Sequence, residues 1–346
     1  VTIGFLGRRE PPRAPVSPLD DVVTEPGLMG ARLAAADNAA SGRFLRLRFE
    51  LMERLDEDPA TAARAMVAEG ATFIVAHLPA EALVTAAEAA SGAILVNSGA
   101  PDDALRNARC RPNMLHTAPS RAMLADGLAQ YLAWKRWTRW ALVPGRGEGD
   151  GLLAEAFRRA ARRFGCTIVE EKPWTFRPGP GRSDTGHVTL QSEIPAFTRS
   201  LRDHDALVVA DEADEFGAWL DGRTARPRPV AGTHGLVATG WSAVVEQWGA
   251  AQLQSRFRAL AGRRMGAEDY AGWLAVRAVG EAAIRTRSAD PARLAAAMRD
   301  PDFLLAGYKG QGLSFRSWDG QLRQPVLIAG PRMLVSASPQ AGFLHQ

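Results

Sequence analysis

Residues 137–171, WTRWALVPGRGEGDGLLAEAFRRAARRFGCTIVEE, decide how this chain is read. An apolar run ends at Val143 and a loop of alternating glycines follows. Leu152, Leu153, Phe157, Ala160 and Ala161 then recur at helical spacing until Phe164-Gly165 closes the pattern. With the run after Gly165 the stretch reads strand, glycine-rich loop, helix, strand, which is one βαβ unit. The same alternation of short apolar runs and amphipathic helices extends from Ile3 to Val96. Two such blocks predict two open parallel sheets, an α/β architecture with a ligand expected at the carboxyl ends of the strands.

The length of 346 residues exceeds what a single core usually organises, so two domains are expected. Hydrophobic content of 46% and charged content of 23% are ordinary for a globular chain. The net charge of +4 comes almost entirely from arginine, since lysine occurs only at 135, 172 and 309. This excess is spread along the chain, so it does not indicate nucleic acid and suits an anionic small ligand. No apolar run reaches the roughly 18 residues a membrane helix needs. The first residues read as a strand, so a secretory leader, if there was one, has been removed. Cys110 and Cys166 fall in different predicted domains, and no Cys/His cluster has zinc spacing, so neither a disulfide nor a metal site is expected.

Taken in order, the strand Ile3 to Leu6 is followed at once by Arg8 and Arg9. A helix over 27–42, a strand near Leu47 to Met52 and a helix from Ala60 to Glu69 lead to the strand Thr72 to Ala76, with His77 after it. The strand Ala93 to Val96 is followed by Asn97-Ser98-Gly99, a hydrogen-bonding platform that also makes turns. Ser120 is placed as the N-cap of a helix reaching Trp134. Pro173 to Gly186 is long for a connection in a compact domain and reads as either a functional loop or a mobile one. The strand Ala206 to Ala210 ends in Asp211-Glu212, with a helix from Asp214 to Leu220 beyond it. The strand Val230-Ala231 ends in Gly232-Thr233-His234. From Trp241 to Leu260 and from Glu268 to Ala283 the pattern is helical without strands, as expected where the chain returns to the first domain. Asp319-Gly320 between two strand-like runs signals a hairpin.

Chemical motifs are sparse. Starting G-x-G-x-x-G at Gly145 or Gly147 puts Asp150 or Leu152 where the third glycine belongs, so a dinucleotide site is not indicated. There is no P-loop, no G-x-S-x-G elbow and no H-E-x-x-H. The loop instead offers backbone N–H groups and Arg146 to a ligand. The nine tryptophans outnumber the three tyrosines. Trp134, Trp137, Trp140, Trp219, Trp248 and Trp273 are assigned to packing, whereas Trp174 and Trp241 follow strands or loops on the ligand side, where an indole could stack on a ligand.

Several longer runs carry a resemblance: GLMGARLAAADNAASG at 27–42, AEGATFIVAHLPAE at 68–81, LHTAPSRAMLADGLAQYLA at 115–133, and GYKGQGLSFRSWDGQLRQP at 307–325. In this order they resemble the type I periplasmic solute-binding proteins of the Leu/Ile/Val class, over essentially the whole chain. PRPVAGTHGL, EQWGAAQLQSRF and RSWDGQLRQPVL are similar to the subgroup associated with alcohol dehydrogenases that use pyrroloquinoline quinone (PQQ). The resemblance implies two open parallel-sheet lobes joined by three hinge crossings, with a ligand closed between them. It also implies a periplasmic, monomeric, non-enzymatic protein that reaches the membrane only through an ABC permease. The lobes are expected at 1–118 plus 241–323 and at 119–240 plus 324–346.

PQQ is expected as the bound ligand and no catalytic cofactor is expected. Its three carboxylates call for the bidentate grip of arginine, from Arg8, Arg9 and Arg146. His77 and His234 would add donors, Asn97, Ser98 and Thr233 would meet the carbonyls, and Trp174 or Trp241 would cover the ring. The amino-acid binders of the family hold their ligand on a serine and threonine platform, which His77-Leu78-Pro79 replaces here, and Asp211-Glu212 is the only evident partner for an ammonium group. The alternatives are another small organic acid or an amino acid, for transport or sensing, on the same fold, and an α/β hydrolase.

Overall fold

Short apolar runs that alternate with helices have no partner but each other, and they assemble here into two sheets. The structure, a computed structural model, describes residues 1–9, 21–175 and 193–343. The chain divides into two compact units, Val1–Ser120 with Gly240–Gln324, and Arg121–Thr239 with Pro325–Gln346, and so passes from one to the other three times. Of Pro173–Gly186, residues 176–186 lie outside the described residues.

Unit 1 is built on strands β1 (Thr2–Gly7), β2 (Glu50–Leu55), β3 (Phe73–His77), β4 (Ile94–Asn97) and β5 (Met114–His116), in the order β2-β1-β3-β4-β5 and parallel throughout. Ile3, Phe5, Phe73, Ile74, Val75, Leu95 and Val96 are buried, as strands covered on both faces require. Helices α1 (Leu28–Gly42), α2 (Pro59–Ala68) and α3 (Ala80–Ala89) connect them. Asp58 caps α2 by accepting from the Thr61 N–H, with Pro59 at the first helical position. β2 begins three residues later than the apolar pattern suggests, because Arg43–Leu45 forms a 3-10 turn and Arg46 closes it in the left-handed region.

Unit 2 starts with α4 (Arg121–Trp134), β6 (Arg139–Pro144), α5 (Glu148–Arg163) and β7 (Thr167–Glu171). A helix over 193–199 (α6), β8 (Ala206–Ala210), the single turn α7 (Gly217–Leu220), β9 (Val230–Gly232) and β10 (Leu236–Thr239) follow. The return to unit 1 supplies α8 (Ala250–Ala261), α9 (Ala267–Thr286) and α10 (Pro291–Met298). A small antiparallel sheet of β11 (Leu305–Ala306), β12 (Gly312–Phe315) and β13 (Leu322–Arg323) carries the hairpin around Asp319-Gly320, with Phe315 facing Leu322. β14 (Val326–Ala329) and β15 (Leu334–Ser338) complete the sheet of unit 2, ordered β15-β14-β10-β9-β8-β6-β7. Its pairings β15–β14 and β14–β10 are antiparallel and the rest are parallel.

Two helical expectations shorten. α8 starts at Ala250, because Trp248 and Gly249 both take left-handed backbone angles (φ 58° and 81°) and cannot continue a helix from Trp241. Trp248 is 46% exposed there, so it is not core, and Trp134 is likewise exposed. α7 spans only its last turn because Asp214 has φ 55°. Among the described residues, no helix is long and apolar enough to cross a membrane.

Candidate functional site

The carboxyl ends of parallel strands are where an open α/β sheet offers unpaired polar groups. In unit 1 the register pairs Gly7 with His77, Ala76 with Asn97, and Asn97 with His116. This places Arg8, His77, Asn97-Ser98 and His116-Thr117 in one row along that edge. Asn97 is fully buried, and its Oδ1 accepts from the Gly99 N–H (3.1 Å) and the Ala100 N–H (2.9 Å). Its Nδ2 donates to the Ala100 carbonyl (2.8 Å) and faces His116 Nδ1 at 3.1 Å. Nδ1 of His116 is therefore the acceptor and Nε2 carries the proton. Burial, and secondarily the Arg106 guanidinium, hold that imidazole neutral, well below its ordinary pKa.

The platform is thus wired to itself. Ser98 donates both its N–H (3.0 Å) and its hydroxyl (3.2 Å) to the Ala76 carbonyl. His77 is partly buried beside Gly99, where a Cβ would come within 3.0 Å of the imidazole. Arg8 donates to the Glu57 carbonyl (3.1 Å), and Arg9 is an exposed side chain 3.9 Å from Glu25. The hydroxyl and amide donors given to a quinone's carbonyls at Asn97 and Ser98 are consumed inside the loop.

Residues that motif reading did not single out tie the same edge together. Gln321, fully buried, donates to the His116 carbonyl (3.3 Å) and the Ala118 carbonyl (3.2 Å) and accepts from Arg106 Nε (2.9 Å). Gln324 donates to the Thr117 carbonyl (2.8 Å) and accepts from buried Lys309 (2.6 Å), whose pKa burial pushes well below the usual lysine value. Lys309 lies 5.0 Å from the centre of the Tyr270 ring, and Trp241 stacks on that ring at 4.3 Å. Trp241 is 2% exposed, so it belongs to an aromatic core with Tyr270 and Trp273 and is not a free stacking surface. A buried glutamine carries no sequence signal, because spacing does not report burial.

The matching edge of unit 2 is carried by the ends of β6 and β8 and the starts of α4 and α5. The alternating glycines there make room for carboxylates. A Cβ on Gly145 would lie 2.2 Å from Asp150 Oδ2, and one on Gly149 would lie 2.4 Å from Glu212 Oε2. Asp150 accepts from the Gly147 N–H (2.8 Å) and from the Glu212 N–H (2.6 Å), so the Gly147 amide of the glycine-rich loop is spent on it. Arg146 turns to the carbonyls of Trp174 (3.1 Å) and Thr175 (2.8 Å). Trp174, 2% exposed, stacks on Phe216 at 4.8 Å and meets Phe197 edge-on, so it too is core.

Asp211 accepts from the N–H groups of Glu215, Phe216 and Gly217, which opens α7 and removes this residue as an ammonium partner. Asp211, Asp214 and His234 come within metal-ligand distance of one another, but His234 lies between Thr233 Oγ1 and Asp214 Oδ1, 3.0 Å from each. The three side chains read as the fastening of a loop. What stands out is Arg121, buried at the start of α4, which grips Glu212 with two parallel bonds of 2.9 and 2.8 Å. Glu212 is partly open to solvent, with its side chain 29% exposed. A buried guanidinium held by a partly exposed carboxylate can trade that partner for another carboxylate.

Solved structures with the same fold cover nearly the whole chain. The Leu-, Ile-, Val-, Thr- and Ala-binding protein of Brucella ovis is 14% identical over 98% of this chain and 92% of its own, with a TM-score of 0.72. The branched-chain amino acid transporter substrate-binding protein LivJ of Streptococcus pneumoniae, in complex with isoleucine, is 16% identical over 97% and 98%, with a TM-score of 0.67. A solute-binding protein of an ABC transporter from Rhodopseudomonas palustris BisB5, in complex with 3,4-dihydroxybenzoic acid, is 15% identical over 95% and 92%, with a TM-score of 0.63. No curated protein sequence matches the chain. Residues 16–189, half of the chain, match the periplasmic binding protein family, and the chain therefore belongs to that family.

Proposed function

We propose that the protein captures a small carboxylate-bearing solute, an amino acid or a compact organic acid, in the periplasm and hands it to an ABC permease without altering it. The observation that carries the ligand class is the Arg121–Glu212 pair. A ligand carboxylate takes the place of Glu212 on Arg121, and an amino acid then gives its ammonium group to the released Glu212. The similar structures named above with leucine-type amino acids and with a dihydroxybenzoate fit the same class.

PQQ is the weaker reading. Both tryptophans expected to cover its ring already have their faces packed in a core, and the amides and hydroxyls expected at its carbonyls are internally bonded. Glu212→Gln separates the two favoured ligand types. For an amino acid, losing the charge under the ammonium weakens binding by about ten- to hundredfold, the worth of one hydrogen bond to a charged group. For an organic acid without an amine, the same change removes a competitor for Arg121 and leaves affinity equal or tighter. If Arg121→Lys and Glu212→Gln both left the affinity of a bound acid unchanged, this site would be wrong.

A further inference from the structure

Between α1 and β2 the chain makes a tight basic turn with no role in the site above. Arg46 sits in the left-handed region at φ 57°. Its N–H donates to the Arg43 carbonyl (3.3 Å), while the Leu47 N–H reaches back to the Gly42 carbonyl (3.0 Å). Phe49 packs against Gly42, where a Cβ would lie 2.7 Å from its ring, so the turn is pinned to the end of α1. This is the bonding of a helix C-terminal closure whose left-handed position ordinarily carries glycine. Here that position holds an arginine.

The pinned turn displays an unusual set of side chains. Phe44 is 91% exposed, the most exposed large apolar side chain among the described residues. Arg43, Arg46 and Arg48 are exposed around it, and none has a side-chain partner among the described residues, where most other arginines are paired with a carboxylate or a carbonyl. The nearest acidic residue in sequence is Glu50, two positions beyond Arg48.

We propose that residues 43–48 dock the protein directly onto an anionic lipid surface, with Phe44 entering the headgroup layer and the three guanidiniums on lipid phosphates. The chemistry selects a bilayer over a protein partner. One projecting ring on a six-residue turn does not make the roughly 800 Å² per side of a stable protein interface. A single ring does find a solvent in the acyl boundary, and unpaired arginines close to the membrane find phosphate acceptors. The arrangement supplies both signals that weak peripheral anchoring needs, one apolar insertion and a cluster of cations.

The test is co-sedimentation of the purified chain with vesicles of phosphatidylglycerol and phosphatidylethanolamine, against vesicles of phosphatidylcholine alone, at about 50 mM salt. The expected result is partition onto the anionic vesicles only, abolished by 0.5 M salt. Each arginine removed lowers the partition constant about fivefold, so Arg43→Ala, Arg46→Gly and Arg48→Ala together lower it about a hundredfold. Arg46→Gly is the safeguard against misfolding, since glycine relieves the left-handed backbone and leaves the thermal midpoint equal or higher. Phe44→Ala weakens partition without changing its salt dependence. Equal binding to both vesicle types, no binding to either, an unchanged triple variant, or capture by an acidic protein without affinity for lipid would each overturn the proposal.

Discussion

His116 shows how a single side chain reports the wiring of the site. Its Nδ1 is committed to Asn97, and burial keeps it neutral. An unfolded histidine takes up a proton near pH 6.5 while this one does not, so its contribution is intact above that pH. It is lost as pH falls below 6.5 toward the depressed folded value, by up to about 1.4 kcal/mol per pH unit. Urea unfolding at pH 7.5 and 5.5 should show that loss in the native chain and a smaller one in His116→Asn, which keeps an acceptor near the Nδ1 position. An identical loss in both would mean that His116 titrates freely in the fold. Cys166 gives a second check at this scale. Burial, with a smaller push from Asp205, raises its thiol to about 11, so at pH 8 about one part in a thousand is thiolate. Iodoacetamide should label it only on unfolding, and fast labelling of the folded chain would contradict its packing. The same scale marks where sequence reading stops. Asn97 and His77 are correctly placed at strand ends by their position after apolar runs. Nothing in the spacing says that Asn97 spends its amide on its own loop, or that Trp174 and Trp241 have their faces covered.

Helices carry the clearest contrast between what is legible and what is not. α5 is amphipathic, with Leu153, Phe157, Ala160 and Ala161 inward and Arg158, Arg159, Arg162 and Arg163 toward solvent, so its period is visible in the sequence. α1 has no stripe because it is covered on more than one side, and its placement comes from small residues. A Cβ on Gly30 would stand 1.7 Å from the Asp269 carbonyl oxygen, and one on Gly280 would run into the Asn38 amide at 2.1 Å. Asn38 donates to the Val276 carbonyl (2.9 Å) and accepts from Arg277, which locks α1 on α9 at backbone contact. Gly30→Ala should therefore cost about 3 kcal/mol or more, at or above the usual overpacking range, although alanine is the better helix former. Denaturant midpoints measure this, and a stabilised Gly30→Ala variant would show that the helices separate freely. The division of the chain rests on such elements. Helices without intervening strands after Trp241 signal the return to unit 1, while the start of α8 is hidden because left-handed angles at Trp248 have no sequence signature.

At the scale of the whole molecule, two parallel-rich sheets and three passages of the chain between units follow from a pattern that alternation of strand and helix makes readable end to end. The ligand is less readable, because specificity depends on which polar groups remain uncommitted after folding. In unit 1 the platform amides are satisfied internally, and in unit 2 the glycine-rich loop is organised by Asp150. Arg121 and Glu212 are committed to each other, an interaction across 91 residues that no local motif announces. The central claim is that this pair reads a small carboxylate-bearing solute. Its most direct test is calorimetric titration of the chain with amino acids, small aliphatic acids, hydroxybenzoates and PQQ. Saturable binding at one equivalent by a small acid or amino acid, with a dissociation constant at or below about 1 μM, or −8 kcal/mol, and lost in Arg121→Lys, is the predicted result. Saturable binding of PQQ, or of an uncharged solute at an affinity indifferent to Arg121→Lys, would contradict it.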